Sequence, residues 1–244
     1  MEKVQILGIP FDNVTNEEMV EMLSKRIENQ QRCFTVTANP EIVMFAQNDP
    51  LFMKSLHKAD FIVPDGIGVI IGSKLLNHPL KERVAGFDLM MSLLEEAHLK
   101  GYRVYFLGAE DSIVKKAVKN CMDKYPNLNI VGFHHGYFDL EDEEIVRNIQ
   151  KTKPDFIFVA LGFPRQEYWI SKHISTFEKG VFMGVGGSFD VLAGKVKRAP
   201  IIWQKLYIEW LYRLLQQPSR WRRMLVLPKF LVRVIKLKLN PNKK

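Results

Sequence analysis

Short apolar runs alternate with amphipathic stretches through most of this 244-residue chain. The runs with strand character are CFTVTA (33–38), ADFIVP (59–64), YRVYFLG (102–108), LNIVGF (128–133), DFIFVALG (155–162) and VFMGVGG (181–187). The later runs are continuously apolar, which is typical of parallel strands buried on both faces. Strands that alternate with helices through short connections predict an α/β domain over residues 1–194, with a Rossmann-like, mostly parallel sheet flanked by helices.

Residues 195–244, called the tail below, follow a different pattern and form the predicted second unit. Pro200 opens a helical run, IIWQKLYIEWLYRLLQQ, that ends at Pro218. A further helix is predicted from Pro228, and three of its cations fall within about 80° of one another on a helical wheel, namely Lys229, Arg233 and Lys236. Apolar residues fill most of the remaining surface, at Phe230, Leu231, Val234, Ile235, Leu237 and Leu239. This predicts a basic amphipathic helical appendage of the kind that lies in a membrane interface.

Charge is segregated between the two units. The chain carries 35 basic and 27 acidic side chains, for a formal net charge of +8. From Lys195 onward there are 14 bases and one acid, Glu209, so the body is mildly acidic and the tail strongly basic. The asymmetry indicates a polyanion or an anionic surface as the partner of the tail. Apolar residues beside these cations also favour self-association in solution, as a homo-oligomer.

Several features favour a reducing compartment. The beginning of the chain, MEKVQILGIPF, lacks the basic and long apolar segments of a secretory signal, and the two cysteines, Cys33 and Cys121, lie far apart. No stretch approaches the roughly 18 to 20 uninterrupted apolar residues of a membrane span. The sequence therefore predicts a cytoplasmic protein that meets a membrane, if at all, peripherally on its inner face.

In an open parallel sheet, ligands bind beyond the carboxyl ends of the strands. The residues at those ends are rich in Gly, Asn, Asp and Gln, as a polar small-molecule site requires: Thr37-Ala38-Asn39, Asp65-Gly66, Gly108, Gly162 to Gln166, and Gly186 to Asp190. Gly186 and Gly187 are the best phosphate candidates, because a ligand can approach backbone N–H groups where side chains are absent. A tight turn explains these glycines equally well. Asp190 either accepts from ribose hydroxyls or caps its own helix.

Asp65 follows the apolar run FIV, so its surroundings are expected to be partly desolvated. Desolvation favours proton uptake by a carboxylate, which suits a general base, but Pro-Asp-Gly is also a common exposed turn. Asn39 before Pro40 is explained first as a helix N-cap and second as a sugar contact. Arg83 is either a surface cation or a phosphate clamp.

Common cofactor and metal motifs are absent from the sequence. There is no GxGxxG after the first strand, no GxxxxGK[ST], no GxSxG, no HExxH, and no Asp-x-Asp at a strand end. The sequence therefore predicts neither a cofactor nor a metal site.

Seven motifs in order resemble the WecG/TagA/CpsF glycosyltransferases from about residue 4 to about residue 223. They are TANPEIVMFA, ADFIVPDGIGVI, RVAGFDLM, FLGA, VALGFPRQEYWI, GVGGSFDVLAGKVKRAP and WLYRLLQQPSRWRR. The resemblance implies an inverting, metal-independent transfer of N-acetylmannosamine from UDP-N-acetylmannosamine to a lipid-linked GlcNAc diphosphate, in the synthesis of the wall teichoic acid linkage unit.

The resemblance also implies roles for particular residues. Asp65 is the implied base, with Thr37 and Asn39 along the sugars. Arg83 and Gln166 orient the diphosphate or sugar. The residues implied to hold the nucleotide are Gly186, Gly187 and Asp190. The tail cations implied to meet a diphosphate are Arg213, Arg220 and Arg223, and the segment from Met224 onward is implied to lie on the anionic cytoplasmic leaflet.

Two other functions are compatible with parts of the sequence. The same fold can use another UDP-sugar, such as UDP-N-acetylmannosaminuronic acid. A protein that binds nucleic acid through its basic tail, with Trp221 stacked on bases, is the alternative from another class. That alternative leaves the polar strand ends unexplained, so no nucleic-acid partner is predicted.

Overall fold

A computed structural model describes residues 2–216, 218 and 221–240, with the side chains of Arg213 and Arg222 excepted. The strands are β1 (Lys3–Ile6), β2 (Ile9–Asp12), β3 (Arg32–Ala38), β4 (Phe61–Pro64), β5 (Arg103–Gly108), β6 (Asn129–His134), β7 (Phe156–Ala160) and β8 (Gly180–Gly184). β1 and β2 form an antiparallel hairpin. The other strands form a six-stranded parallel sheet in the order β4-β3-β8-β7-β5-β6. The predicted α/β class and parallel sheet are therefore confirmed.

Helices cover both faces of the sheet. In the body they are α1 (Asn16–Glu28), α2 (Pro40–Ala46), α3 (Pro50–Leu56), α4 (Ile67–Leu75), α5 (Gly86–Lys100), α6 (Asp111–Lys124), α7 (Glu143–Lys151), α8 (Arg165–His173) and α9 (Ser188–Leu192), with a 3-10 turn at Ile174–Thr176. In the tail they are α10 (Ile201–Lys205), α11 (Glu209–Gln216), α12 (Trp221–Met224) and α13 (Val226–Leu239).

The sheet separates two hydrophobic cores, which explains the continuously apolar strands. In β3, Phe34 and Val36 enter the core shared with α2 and α8, whereas Cys33 enters the core shared with α1 and α5. Successive side chains of a strand point to opposite faces, so a strand with helices on both faces needs apolar residues at every position.

Two neighbouring strands of the sheet, β3 and β8, send the chain to opposite faces. Helix α2 follows β3 into one core, and α9 follows β8 into the other. Open α/β sheets bind ligands at the carboxyl ends of strands where the chain changes faces in this way.

The tail differs from its prediction in two places. The single helix expected between Pro200 and Pro218 is wrong, because it breaks into α10 and α11 around Tyr207, whose φ is 59°. The last helix begins at Val226 and not at Pro228. A left-handed residue cannot continue an α-helix, so the break redirects α11 and brings Glu209 toward the body.

Helix α13 packs on the body against α4 and α2. Phe230 and Val234 are completely buried there, so the expectation that these two residues face lipid is wrong. The contact depends on Gly72 of α4, where an added Cβ would lie 3.0 Å from Phe230 Cε1. One turn earlier, a Cβ at Gly68 would lie 2.5 Å from Leu227 Cδ1. Two glycines within a helix are costly by about 1 kcal/mol each, and here they provide the groove that seats α13.

Within residues 2–216, 218 and 221–240, none of the helices combines the length and the apolar character that crossing a bilayer demands.

We expect Phe230→Ala to weaken the docking of α13 by about 3 kcal/mol, because it removes a fully buried ring and leaves a cavity. The measurement is the rate of limited trypsin cleavage within α13, which contains Lys229 and Arg233. Val232→Ala is the matched control, since Val232 lies on the same helix with 52% of its surface exposed. Equal cleavage rates in the two variants would show that the Phe230 contact does not hold the helix.

Candidate active site

Two cavities lie along the carboxyl edge of the sheet. The tail-covered cavity lies beyond β3 and β4, with Asn39, Asp65 and Arg83 from the body and Tyr207, Trp210 and Arg223 from the tail among its lining residues. The glycine-loop cavity lies beyond β5, β7 and β8 and is lined by Ala109, Gly136, Tyr137, Ala160, Leu161, Gly162, Arg165, Gly186, Gly187 and Asp190. The predicted site residues are therefore divided between two neighbouring cavities.

Asp65 lies half-buried in the tail-covered cavity, directly after β4. Its backbone N–H donates to the carbonyl of Ala38 at 2.9 Å, and its Oδ2 accepts from the N–H of Gly86 at 3.3 Å. Thr37 packs on the same glycine, because a Cβ at Gly86 would lie 2.7 Å from Thr37 Oγ1. Thr37 thus supports the cavity without being among its lining residues. The main chain of Asp65 is thus held by Ala38, and its carboxylate by the N–H of Gly86.

Asn39 combines the two predicted interpretations. Its Oδ1 accepts from the N–H of Ile42 at 3.0 Å and caps α2, as the Asn-Pro sequence predicts. The residue also lines the tail-covered cavity beside Asp65. The cap fixes the orientation of the side chain, so a sugar contact there would meet a preorganised group.

Arg83 is mostly buried and meets the one acid of the tail. Its guanidinium lies 3.7 Å from a carboxylate oxygen of Glu209, and both side chains are about one-tenth exposed, at 12% and 11%. The guanidinium also lies 5.9 Å from the ring centroid of Tyr207. A cation held in a poorly solvated wall attracts anions strongly, so Arg83 is suited to a phosphate group.

Two arginines of the tail that line the same cavity pair with acids of the body. Arg223 Nε lies 3.6 Å from Glu41 Oε1, and Arg198 Nη2 lies 2.6 Å from Asp88 Oδ1. Arg198 also stacks over the ring of Phe87, with 4.9 Å between the guanidinium carbon and the ring centroid. Around the cavity, tail and body are therefore joined by ion pairs in which the tail supplies the cation in some and the body in another.

The remaining two tail arginines of the prediction cannot be placed beside Arg223. Arg220 and the side chain of Arg213 lie outside the described residues, so their expected contact with a diphosphate stays a prediction.

The glycine-loop cavity contains the residues predicted to bind a nucleotide. Gly186 has a φ of 50°, and Gly187 and Asp190 line the same cavity. Asp190 Oδ1 lies 3.8 Å from Lys195 Nζ, a distance that leaves the carboxylate largely available to a ligand hydroxyl. Tyr137 and Arg165 add an aromatic surface and a cation to the lining of this cavity. This cavity has the groups that a nucleoside diphosphate needs.

Gln166 lies beneath the glycine loop and not in either cavity. Its side chain is buried, with Oε1 accepting from the N–H of Gly186 at 2.9 Å and Nε2 donating to Glu167 at 2.8 Å. Contact with a substrate diphosphate or sugar would require these bonds to break. The structure thus places Gln166 behind the binding wall.

Glu167 was not singled out by the sequence, although it is a fully buried acid. Burial raises the pKa of its carboxyl to about 7, against the lowering effect of hydrogen bonds from Gln166 and from its own backbone N–H. Arg198 and the role of Glu209 were missed as well. Only tertiary proximity distinguishes these residues from other charged residues of the chain.

The described residues contain no cluster of three or more His, Cys, Asp or Glu side chains arranged to hold a metal ion. Metal independence itself stays a prediction, to be decided by assay.

The family described as "Glycosyl transferase WecG/TagA/CpsF family" has a sequence model that matches residues 4–244. The chain is also similar to two curated Staphylococcus aureus proteins. The protein of strain MW2 is 45% identical and that of strain MRSA252 is 44% identical, each over 238 residues that make up 97% of this chain and 93% of the relative. Both relatives are named N-acetylglucosaminyldiphosphoundecaprenol N-acetyl-beta-D-mannosaminyltransferase.

The raised pKa of Glu167 predicts that the stability of the protein depends on pH. Its pKa in the folded protein, about 7, lies above the ordinary glutamate value, so the folded state holds the proton more tightly than the unfolded state. Stability is therefore lost as the pH rises toward and through 7. Relative to Glu167→Gln, the wild type should lose about 2 kcal/mol of unfolding free energy between pH 5.5 and pH 8. Urea unfolding at both pH values measures this difference, with exposed Glu95→Gln as the control. Parallel pH dependences for the wild type and Glu167→Gln would contradict the assignment.

Proposed function

The chain belongs to the WecG/TagA/CpsF family of glycosyltransferases, and from that premise we propose that it moves N-acetylmannosamine from UDP-N-acetylmannosamine to GlcNAc on undecaprenyl diphosphate. The names of the two S. aureus relatives describe an N-acetyl-beta-D-mannosaminyltransferase acting on that lipid-linked sugar. This transfer is an early step in the synthesis of the wall teichoic acid linkage unit. The observation that carries the proposal is the position of Asp65, in a cavity walled by arginines and next to a separate glycine-loop cavity.

The spacing of the strands supports one arrangement of the substrates. Asp65 follows β4 and Gly186 follows β8, with β3 between them, so two strand spacings or roughly 10 Å separate the strands. A diphosphate with its attached sugar spans such a distance. UDP in the glycine-loop cavity then directs N-acetylmannosamine along the end of β3, past Asn39, toward Asp65. The acceptor enters the tail-covered cavity.

Asp65 serves as the general base in this arrangement. The acceptor hydroxyl oxygen attacks C1 of the donor sugar while its proton passes to the Asp65 carboxylate. The bond between C1 and the diphosphate oxygen breaks, and UDP leaves with the electron pair. One carboxylate is sufficient for this direct displacement, which inverts the configuration at C1.

Arginines balance the negative charge that develops on UDP, and the reaction proceeds without a divalent cation. Arg83 and Arg223 already hold carboxylates in the cavity, at 3.7 and 3.6 Å. These loose contacts are weaker than hydrogen-bonded ion pairs, so phosphate oxygens can replace Glu209 and Glu41. The donor or the lipid-linked diphosphate can make this exchange.

The outer surface of the tail supports a peripheral position on the anionic inner leaflet. Its exposed apolar side chains include Ile201, Ile202, Leu206, Leu215, Val232, Ile235 and Leu239. Lys229, Arg233 and Lys236 are exposed on α13 among the last three of these. Basic residues that flank apolar ones favour an anionic bilayer surface by roughly 1 kcal/mol per cation. A lipid-linked acceptor and the tail-covered cavity would then meet at the same surface.

The other predicted donor, UDP-N-acetylmannosaminuronic acid, is less well supported, because the relatives compared are named for N-acetylmannosamine.

We expect Asp65→Asn to lower the turnover number by roughly 10³-fold, because the amide cannot accept the acceptor proton. UDP binding should change little, since Asp65 lies outside the glycine-loop cavity. The assay is UDP release from UDP-N-acetylmannosamine with a short-chain lipid-diphosphate GlcNAc acceptor, in the presence of EDTA.

Asp60→Asn is the control, since Asp60 precedes the same strand at its opposite end and accepts from the N–H of Phe34. Near-normal turnover by Asp65→Asn would remove Asp65 as the base. Activity of the wild type only with the uronic acid donor, or only without EDTA, would overturn the corresponding part of the proposal.

Arg223→Gln should lower transfer by roughly 10- to 100-fold with the same short-chain acceptor, through the loss of one charged contact to a diphosphate. Arg233→Gln is the matched control, because it removes one cation from the exposed face of the neighbouring helix. With a vesicle-bound acceptor the control should lose activity as well. If both variants lose equal activity on the short-chain acceptor, the Arg223 contact is not specific to the cavity.

A further inference from the structure

Glu167 is an acid in an environment that opposes its charge. It lies in the first turn of α8 with 1% of its surface exposed. Its Oε1 accepts from Gln166 Nε2, while its Oε2 is buried without a hydrogen-bond partner. Among the ion pairs formed by the described residues, none includes Glu167. Burial of an unpaired carboxylate costs several kcal/mol, so its presence needs a reason.

The reason lies in the hydrogen-bond chain that begins at this carboxylate. Gln166 packs directly on β8, where a Cβ at Gly184 would lie 2.6 Å from Gln166 Nε2. The Oε1 of Gln166 accepts from the N–H of Gly186, which lies two residues after Gly184 in the chain. A flip of the glutamine amide exchanges the positions of its oxygen and nitrogen. Only one of the two orientations presents the oxygen to the N–H of Gly186.

An ionised carboxylate can only accept hydrogen bonds, so it selects the orientation in which Gln166 turns its NH₂ toward Glu167. The amide oxygen then faces Gly186. Gly186 has a φ of 50°, and it lines the glycine-loop cavity together with Gly187. The acid is thus connected to the cavity wall by two hydrogen bonds of 2.8 and 2.9 Å.

We propose that Glu167 is a positioning residue for the glycine-loop cavity: by accepting from Gln166, it holds Gly186 and Gly187 in the conformation that binds the diphosphate of the nucleotide. The ligand class rests on the proposed function, whereas the positioning of Gly186 does not.

The first experiment is independent of any ligand. The 15 glycines of the full chain are labelled with ¹⁵N, and amide exchange at Gly186 is followed by NMR at pH 8. Glu167→Met removes the acceptor at similar volume and should speed exchange at Gly186 roughly tenfold, the equivalent of one lost hydrogen bond. Glu167→Gln keeps an oxygen that can accept, and it should preserve most of the protection.

A buried acid elsewhere serves as the control. Asp12 is completely buried, accepts from the N–H of Ile62 at 2.7 Å and pairs with Lys3 at 3.1 Å. Asp12→Asn should lower the thermal midpoint and leave exchange at Gly186 relative to the other glycines unchanged. Protection of Gly186 that is the same in Glu167→Met as in the wild type would overturn the proposal, as would equal loss in Asp12→Asn.

The second experiment separates this inference from the function on which its ligand rests. UDP affinity is measured by calorimetry on the same four proteins. We expect at least roughly tenfold weaker binding by Glu167→Met, without a lower thermal midpoint, and unchanged affinity in Asp12→Asn. Tight binding by Glu167→Met would overturn the role in nucleotide binding. If the wild type itself binds no UDP, the proposed function fails, and the exchange data alone decide whether Glu167 positions the loop.

Discussion

The contact between α13 and the two glycines of α4 is the constraint on which the tail-covered cavity depends. Gly68 and Gly72 leave space for Leu227 and Phe230, so the last helix can lie against the body. That docking fixes the position of α12, which carries Arg223, over the carboxyl ends of β3 and β4. Without it, α12 and its Arg223 would not be held over this edge of the sheet.

Ion pairs between the tail and the body also hold the tail in place. The tail contributes cations to acids of the body, and the body contributes Arg83 to the one acid of the tail, Glu209. Each arginine is thereby kept near the cavity by a carboxylate, which a phosphate would replace in the proposed reaction. The strongly basic tail therefore supplies cations both to the proposed active site and to the surface proposed to face the membrane.

Local patterns were sufficient for the six parallel strands and the polar strand ends, whereas the β1–β2 hairpin was not predicted. The N-cap at Asn39 also follows from its own neighbours. Patterns were insufficient for the tail, where Tyr207 divides a run with continuous helical periodicity, and for Phe230 and Val234, whose apolar character suits lipid and protein equally. Gln166 illustrates the same limit within the site, because a glutamine after a strand can face the ligand or, as here, lie behind the wall.

The sequence by itself determined the fold class, the edge of the sheet that carries the polar residues, and the segregation of charge, because each depends on short-range periodicity or composition. Only the tertiary structure decided that these residues occupy two cavities, that Glu209 meets Arg83, and that Gln166 donates to a buried Glu167. The physical reason is that such contacts join residues far apart in the chain or depend on which way a side chain turns. Burial and hydrogen bonding settle both only when the sheet and its helices are assembled.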